Sequence, residues 1–207
     1  MIGSTAGKPG VERAASFAYA AGVTGILANL FLVAFYALQA SRPENGTWLG
    51  TANDLVGSVS TALMMPVALA LSTLLPDRRR AWITRVVGLS AMAVLVVGGP
   101  LLVFGVLAFE VQAPIAVGAA MFLFLWLLLI NRWLRLSDVL RPRVARLGEF
   151  LGAVTLAGGV VAGLGFLLPW MSWPQFIFFG AGGVLAIIGL IGTPFWFLFL
   201  GRHLAAS

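Results

Sequence analysis

The chain has 207 residues, of which 60% are hydrophobic and only 10% are charged, and its mean hydropathy is +1.01. Soluble domains carry about half apolar and about a quarter charged residues, so this balance excludes an ordinary soluble fold. The net charge is +6, and the lack of cysteine excludes disulfides, thiolate metal sites and a cysteine nucleophile. Long apolar runs carry the hydrophobic excess, which predicts an all-α, polytopic integral membrane protein.

The first residues, 1–13, are predicted to form a flexible cytoplasmic tail, because they are rich in glycine, serine and threonine. Lys8 and Arg13 precede an apolar run that continues to Ala40. The apolar core of a signal peptide has about 7–15 residues, so this longer run predicts an uncleaved first span.

The apolar runs predict a bundle of six transmembrane helices. A helix rises about 1.5 Å per residue, so about 20 residues cross a hydrocarbon core of about 30 Å. Lipid offers the backbone no hydrogen-bond partner, which favours helices over strands. The predicted spans lie at about 14–40, 53–75, 83–109, 114–131, 149–169 and 176–200, and residues 201–207 are predicted to form a cytoplasmic tail.

The basic residues predict the direction of the chain. Of the 13 lysine and arginine residues, only Arg42 lies on the opposite side from the others. Positive charge is retained on the cytoplasmic side, so both termini are expected on the cytoplasmic side of the plasma (inner) membrane. The ratio of arginine to lysine, with abundant alanine and glycine, is typical of a bacterium with a GC-rich genome. No segment is long enough to form a soluble basic module, so nucleic acid is not an expected partner.

The basic connection at 132–148 is predicted to be a cytoplasmic interfacial loop. Its arginines alternate with Trp133 and several aliphatic residues, so its apolar side is expected to face lipid, with a break near Pro142. Arginines near anionic headgroups each contribute about 1 kcal/mol of attraction. The predicted contacts with anionic lipids are Arg78, Arg79, Arg80, Arg132, Arg135, Arg141, Arg143 and Arg146.

Small residues recur at the spacing that lets two membrane helices approach closely. The fifth span contains Gly148-x-x-x-Gly152 and Gly159-x-x-x-Gly163, and the sixth contains Gly182-x-x-x-Ala186 and Gly189-x-x-x-Thr193. This spacing serves either packing inside the bundle or the formation of a homo-oligomer, and the pattern alone does not distinguish the two.

A polar face is predicted along the first two spans. Asp54, Ser58 and Thr61 recur at helical spacing on the second span. Asn29 and Tyr36 share a face of the first span, which runs antiparallel to the second, so the two faces are expected to meet. The predicted ligand or ion contacts are Asn29, Tyr36, Asn53, Asp54, Ser58, Thr61 and, from the third span, Glu110.

Two interpretations of Asp54 remain open. In the first, Asp54 has a structural place only: Thr51, followed three residues later by Asp54, resembles a capping box, a carboxylate favours a helix N-terminus, and Asp54 is otherwise solvated in the outer interface. Alternatively, Asp54 binds a ligand or a proton at an outer mouth shared with Glu110, and such a mouth would attract cations or an amine. Glu110 is predicted to close the third helix, where a carboxylate is unfavourable, so a partner such as Gln112 or Arg42 is expected.

The spans lack the groups that several function classes need. The only histidine, His203, lies in the tail, and the only lysine, Lys8, lies outside the spans, so no metal, cofactor or Schiff base is expected. Coupled transport usually needs ionisable groups in mid-membrane, and none is predicted there. We expect a non-catalytic membrane protein that binds a hydrophobic or lipid-like ligand, or a protein partner, through its bundle. The alternatives are a small transporter or channel component with an outer mouth near Asp54 and Glu110, and an enzyme acting on lipids.

Overall fold

A computed structural model of the protein describes residues 9–41, 46–165, 167–169 and 172–206, and these form helices without strands. Each helix is long and apolar enough to cross a membrane. The prediction of an all-α, six-helix, multi-pass membrane protein is therefore confirmed. The helices are α1 (Pro9–Ser41), α2 (Thr47–Thr73), α3 (Arg78–Val103), α4 (Phe109–Leu136), α5 (Pro142–Gly165) and α6 (Trp173–Ala205).

The helices form a closed ring. Each helix packs against the next one in the chain, and α1 packs against α6. Short connections make consecutive helices antiparallel, so the ring has two distinct ends. The basic end holds residue 9, residue 206 and the connections 74–77 and 137–141. The other end, which we call the acidic end because Asp54 and Glu110 lie toward it, holds the connection 104–108 and the helix ends at residues 41, 47, 165 and 173.

The helix ends differ from the predicted ends of the spans, most clearly at the basic connection. α4 continues to Leu136 and α5 begins at Pro142, so only 137–141 lies between helices and the connection is shorter than the predicted 132–148, with its break next to Pro142. Its place in the membrane interface stays a prediction. Hydropathy falls where the arginines begin, but both helices continue past that point. Arg135 makes a bidentate ion pair with Glu149, with nitrogen–oxygen distances of 2.5 and 3.0 Å. This pair joins the end of α4 to the start of α5.

A dense core fills the half of the ring near the basic end. We call it the tryptophan core, and it comprises Val67, Leu71, Trp126, Trp196 and Phe197, all almost completely buried. The Trp126 and Trp196 rings meet edge to face with centroids 6.5 Å apart, and Trp196 and Phe197 do so at 4.8 Å. Trp196 Nε1 also donates to the Val144 carbonyl at 3.1 Å, so its polar atom is satisfied. The core therefore fills the centre of the ring between α2, α4 and α6.

Small residues allow the backbones to touch, most closely between α5 and α6. A Cβ atom on Gly158 would lie 2.6 Å from the Gly182 carbonyl oxygen, and the reverse distance is also 2.6 Å. Gly152 is equally tight against the α4 backbone. These contacts explain part of the glycine pattern by packing within one chain. Gly163 has no such neighbour within 4 Å, and a homo-oligomer stays a prediction.

Candidate functional site

A cavity of ≈ 400 Å³ lies inside the ring between the acidic end and the middle of the helices. α1, α2, α3, α4 and α6 supply its walls. Along α2 the lining extends from Asn53 to Met64, which is about 17 Å of helix. The lining residues nearest the basic end are Met64, Leu123 and Phe124, which are buried and form an apolar floor. The tryptophan core begins directly beyond this floor, so the cavity ends at mid-bundle.

The polar wall of the cavity comes mainly from α2. Asp54, Ser58 and Thr61 face inward together because residues separated by three or four positions share one helix face. Ser58 Oγ donates to the Asp54 carbonyl at 2.8 Å, and Thr61 Oγ1 donates to the Gly57 carbonyl at 2.9 Å. Each hydroxyl has a single proton, so these oxygens present only lone pairs to the cavity.

The same arrangement recurs on the neighbouring walls. Ser60 Oγ donates to the Ala21 carbonyl at 2.9 Å, and Thr193 Oγ1 donates to the Gly189 carbonyl at 2.7 Å. Both hydroxyls line the cavity with their protons already engaged. The cavity is therefore rich in hydrogen-bond acceptors, and a ligand that brings donors matches it better than one that brings acceptors.

Among the described residues that line the cavity, Asp54 is the only one with an ionisable side chain, and it is half-buried. Its carboxylate accepts a hydrogen bond from Asn53 Nδ2 at 3.3 Å. Among the described residues, no arginine lies within ion-pair distance of it. A partly desolvated carboxylate without a cation nearby is unfavourable, so a positive charge beside Asp54 would lower its free energy.

The capping interpretation of Asp54 is wrong. α2 begins at Thr47 after the N-cap residue Gly46, so Asp54 lies about two turns inside the helix. The polar run before Asp54 suggested a loop, but residues 47–53 belong to the helix. Asp54 therefore caps no helix end, and the interpretations that remain are solvation in the outer interface and a role toward the cavity.

A proline on α6 explains the position of Asn29. Pro194 has no backbone N–H, so the carbonyl of Leu190 has no helical donor. Asn29 Nδ2 donates to this carbonyl at 3.2 Å, which leaves Asn29 Oδ1 as a further acceptor beside the cavity. The close approach of α1 and α6 requires Gly25, because a Cβ there would lie 2.9 Å from Pro194 Cγ.

The cavity brings together most of the predicted polar contacts, although their binding role stays a prediction. Tyr36 does not line it and is 65% exposed on α1. Glu110 is also outside and exposed, in the first turn of α4 rather than at the end of α3. A carboxylate is favourable at a helix N-terminus, so Glu110 needs no partner, and Arg42 lies outside the described residues. The predicted contacts that line the cavity are Asn29, Asn53, Asp54, Ser58 and Thr61.

Three polar residues of the lining escaped sequence reasoning. Gln112 lies inside α4 because that helix begins at Phe109, before its predicted start near residue 114. Ser60 lies one position beside the predicted stripe, and its bond to α1 turns it to the cavity edge. Thr193 was assigned to helix packing, and only the ring closure of α1 on α6 brings it to the cavity.

The predicted lipid-contact arginines lie at the basic end, and two of them have partners in the protein. The Arg135 guanidinium binds Glu149, and the Arg80 guanidinium lies 5.8 Å above the Trp133 ring and 3.3 Å from Asp77. Asp77 also caps α3 by accepting from Arg79 N and Arg80 N. The arginines without such a partner among the described residues are Arg78, Arg79, Arg132, Arg141, Arg143 and Arg146.

Comparisons of the chain with protein-family models, with curated proteins and with solved structures find no match. The class of protein is therefore defined by the fold and the cavity alone. It is a multi-pass membrane protein with a half-depth cavity that is rich in acceptors and holds one carboxylate.

Proposed function

We propose that this chain is a membrane-embedded binding protein for a small organic cation, such as a substituted amine with an apolar portion. The observation that supports this most strongly is the half-buried, unpaired carboxylate of Asp54 in a cavity whose hydroxyls offer only acceptors. An ammonium group supplies a positive charge for the carboxylate and donors for these hydroxyl oxygens.

The size and the floor of the cavity favour a ligand with two chemically different parts. Its ≈ 400 Å³ falls within the range of ligand pockets, about 300–1,000 Å³. The cationic part would lie beside Asp54 and Asn53, near the acidic end. The apolar part would extend toward Met64 and Phe124, where it removes hydrocarbon surface from water.

The charge distribution supports approach of a cation from the acidic end. Asp54 and Glu110 lie at that end, and no lysine or arginine of the described residues does. Such a field raises the local concentration of cations near the cavity.

We further propose that both termini lie in the cytoplasm of a bacterium, so that the cavity opens outward from the plasma membrane. Retention of arginines at the basic end supports this direction. The chain has no cysteine, so single cysteines report accessibility without background. Phe104→Cys should react with an impermeant maleimide in intact cells, and Pro76→Cys should react only after lysis. The reverse pattern would place the cavity on the cytoplasmic side.

A carrier is the second candidate function, and the positions of two prolines favour it. Pro194 lines the cavity, and Pro66 lies between the floor residue Met64 and the core residue Val67. Each proline removes one helical hydrogen bond at the boundary between the cavity and the tryptophan core. A bend at these positions would open the basic half, as alternating access requires. Uptake of a radiolabelled amine into proteoliposomes distinguishes a carrier from a protein that only binds.

The binding proposal is tested with benzyltrimethylammonium, which joins a cation to an apolar ring, and with benzoate as the anionic control. Binding to purified protein in detergent is measured by thermal shift and by equilibrium dialysis. Asp54→Asn removes the charge and keeps the shape, and Glu110→Gln removes a carboxylate at the same end outside the cavity. We expect Asp54→Asn to weaken binding at least about tenfold and Glu110→Gln to change it less than about twofold, because charged hydrogen bonds contribute about 1.5–3 kcal/mol. Equal weakening by both variants, or preference for benzoate, contradicts the proposal.

A further inference from the structure

A groove lies at the basic end, between the start of α5 and the end of α6, away from the central cavity. Its volume is ≈ 830 Å³. Four arginines line it, Arg141, Arg143 and Arg146 from the α5 side and Arg202 from α6. The groove is thus a basic surface built by two helices that pack against each other.

Among the described residues, no carboxylate in the groove balances its positive charge. No aspartate or glutamate is among the residues that line it. The ion pairs formed by the described residues use Arg80 and Arg135, which lie elsewhere. Arginines held together without an anion repel one another, so the groove favours a negatively charged occupant.

The groove also has an apolar part that lies deeper along the helices. Leu147 follows Arg143 by one turn of α5, and Phe199 lies about one turn before Arg202 on α6. Both line the groove, and Phe199 is 51% exposed. In a helix that crosses the membrane, these positions lie nearer the hydrocarbon than the guanidinium groups do. A soluble anion would use only the arginines, whereas a phospholipid would use both parts.

We propose that this groove binds one phospholipid with an anionic headgroup. The phosphate lies among Arg141, Arg143, Arg146 and Arg202, where guanidinium groups donate paired hydrogen bonds to phosphate oxygens. An acyl chain lies along Leu147 and Phe199. The site is independent of the cavity that holds Asp54, because it lies at the other end of the ring and shares no lining residue with that cavity. It also differs from general attraction to anionic membranes, which would use Arg78 and Arg79 equally.

The test measures retention of phosphatidylglycerol by the purified full chain, using native mass spectrometry and competition with a fluorescent phosphatidylglycerol. Phosphatidylcholine serves as the zwitterionic lipid, and glycerol phosphate serves as the headgroup without acyl chains. Arg143→Gln with Arg146→Gln removes two charges from the groove. Arg78→Gln with Arg79→Gln is the matched control, because it removes two exposed charges at the same end outside the groove. Arg202→Gln is a second groove variant that leaves α5 intact.

We expect phosphatidylglycerol to bind at least about tenfold more tightly than phosphatidylcholine. Each groove variant should weaken this binding at least about fivefold, and the control should change it less than about twofold, because only the groove variants remove guanidinium donors from the phosphate. Phe199→Ala should weaken the lipid and leave glycerol phosphate unchanged. Equal losses in the groove and control variants would show diffuse surface attraction and overturn the proposal. Binding of glycerol phosphate as tight as that of the lipid would show a soluble-anion site and overturn it as well.

Discussion

The two halves of the ring are built from the same helices and differ in what those helices present to the centre. Near the basic end, the tryptophan core fills the centre with rings and aliphatic side chains. Near the acidic end, small residues such as Gly57, Ala116 and Ala120 face the centre and leave a cavity. The small side chains make the space, and the hydroxyls and the carboxylate give it a chemical preference. The packed core and the cavity thus lie at different depths along the membrane normal.

The largest effect on stability is expected in the half of the ring that holds the tryptophan core. Trp196→Ala removes a fully buried indole from the tryptophan core and should lower the free energy of unfolding by about 3–5 kcal/mol. Trp82→Ala, at an exposed position, should change it by less than about 0.5 kcal/mol. Equilibrium unfolding in detergent measures both. Similar effects of the two variants would show that the basic half is not the closed half of the ring.

A smaller effect is expected where the α5 and α6 backbones touch. Gly182→Ala places a Cβ 2.6 Å from the Gly158 carbonyl oxygen and should destabilise the protein by about 1–3 kcal/mol. Gly180→Ala, which has no neighbour within 4 Å of its Cβ, should be neutral or stabilising. The difference in thermal unfolding between the two variants sharpens the comparison, because it separates packing between helices from helix propensity. Equal unfolding temperatures of the two variants would mean that the α5 and α6 backbones do not touch at this position.

In the half that holds the cavity, loss of a single polar bond is expected to matter less. Asn29→Ala removes the donor to the Leu190 carbonyl and should lower stability by about 0.6 kcal/mol, the average for polar pairs in membranes. Pro194→Ala restores the helical donor to that carbonyl, so the Asn29 substitution should have no effect in that background. A double-mutant cycle measures this coupling. An unchanged effect of Asn29→Ala beside Pro194→Ala would assign the asparagine another role.

The smallest effect on folding is expected at Asp54. Since it lies inside α2 and forms no ion pair with a described residue, Asp54→Ala should change the unfolding temperature by less than about 2 °C. Loss of binding with stability retained is the pattern of a ligand contact. A large loss of stability would return Asp54 to a structural role.

The fold was predictable because membrane spans depend on composition over about 20 residues, which is a local property. Helix ends were less predictable, because α4 and α5 continue past the point where arginines lower the hydropathy, and contacts such as the Arg135–Glu149 pair join residues of different helices. The stripe of Asp54, Ser58 and Thr61 follows from helical spacing alone. Thr193 could not be assigned to the cavity, because its place depends on ring closure by distant helices.

Cysteine scanning along α2 tests the contrast between the two halves most directly. The cysteine-free chain carries Ser58→Cys or Thr61→Cys in the cavity, or Ala68→Cys on the same helix beside the core. A methanethiosulfonate with an ammonium group should modify positions 58 and 61 faster than its sulfonate analogue does, and benzyltrimethylammonium should protect both. Position 68 should react with neither reagent. If the cysteines at positions 58 and 61 did not react, the acidic half would hold no accessible cavity. If the cysteine at position 68 reacted as fast as they do, the tryptophan core would not close the basic half. Either result would contradict the account.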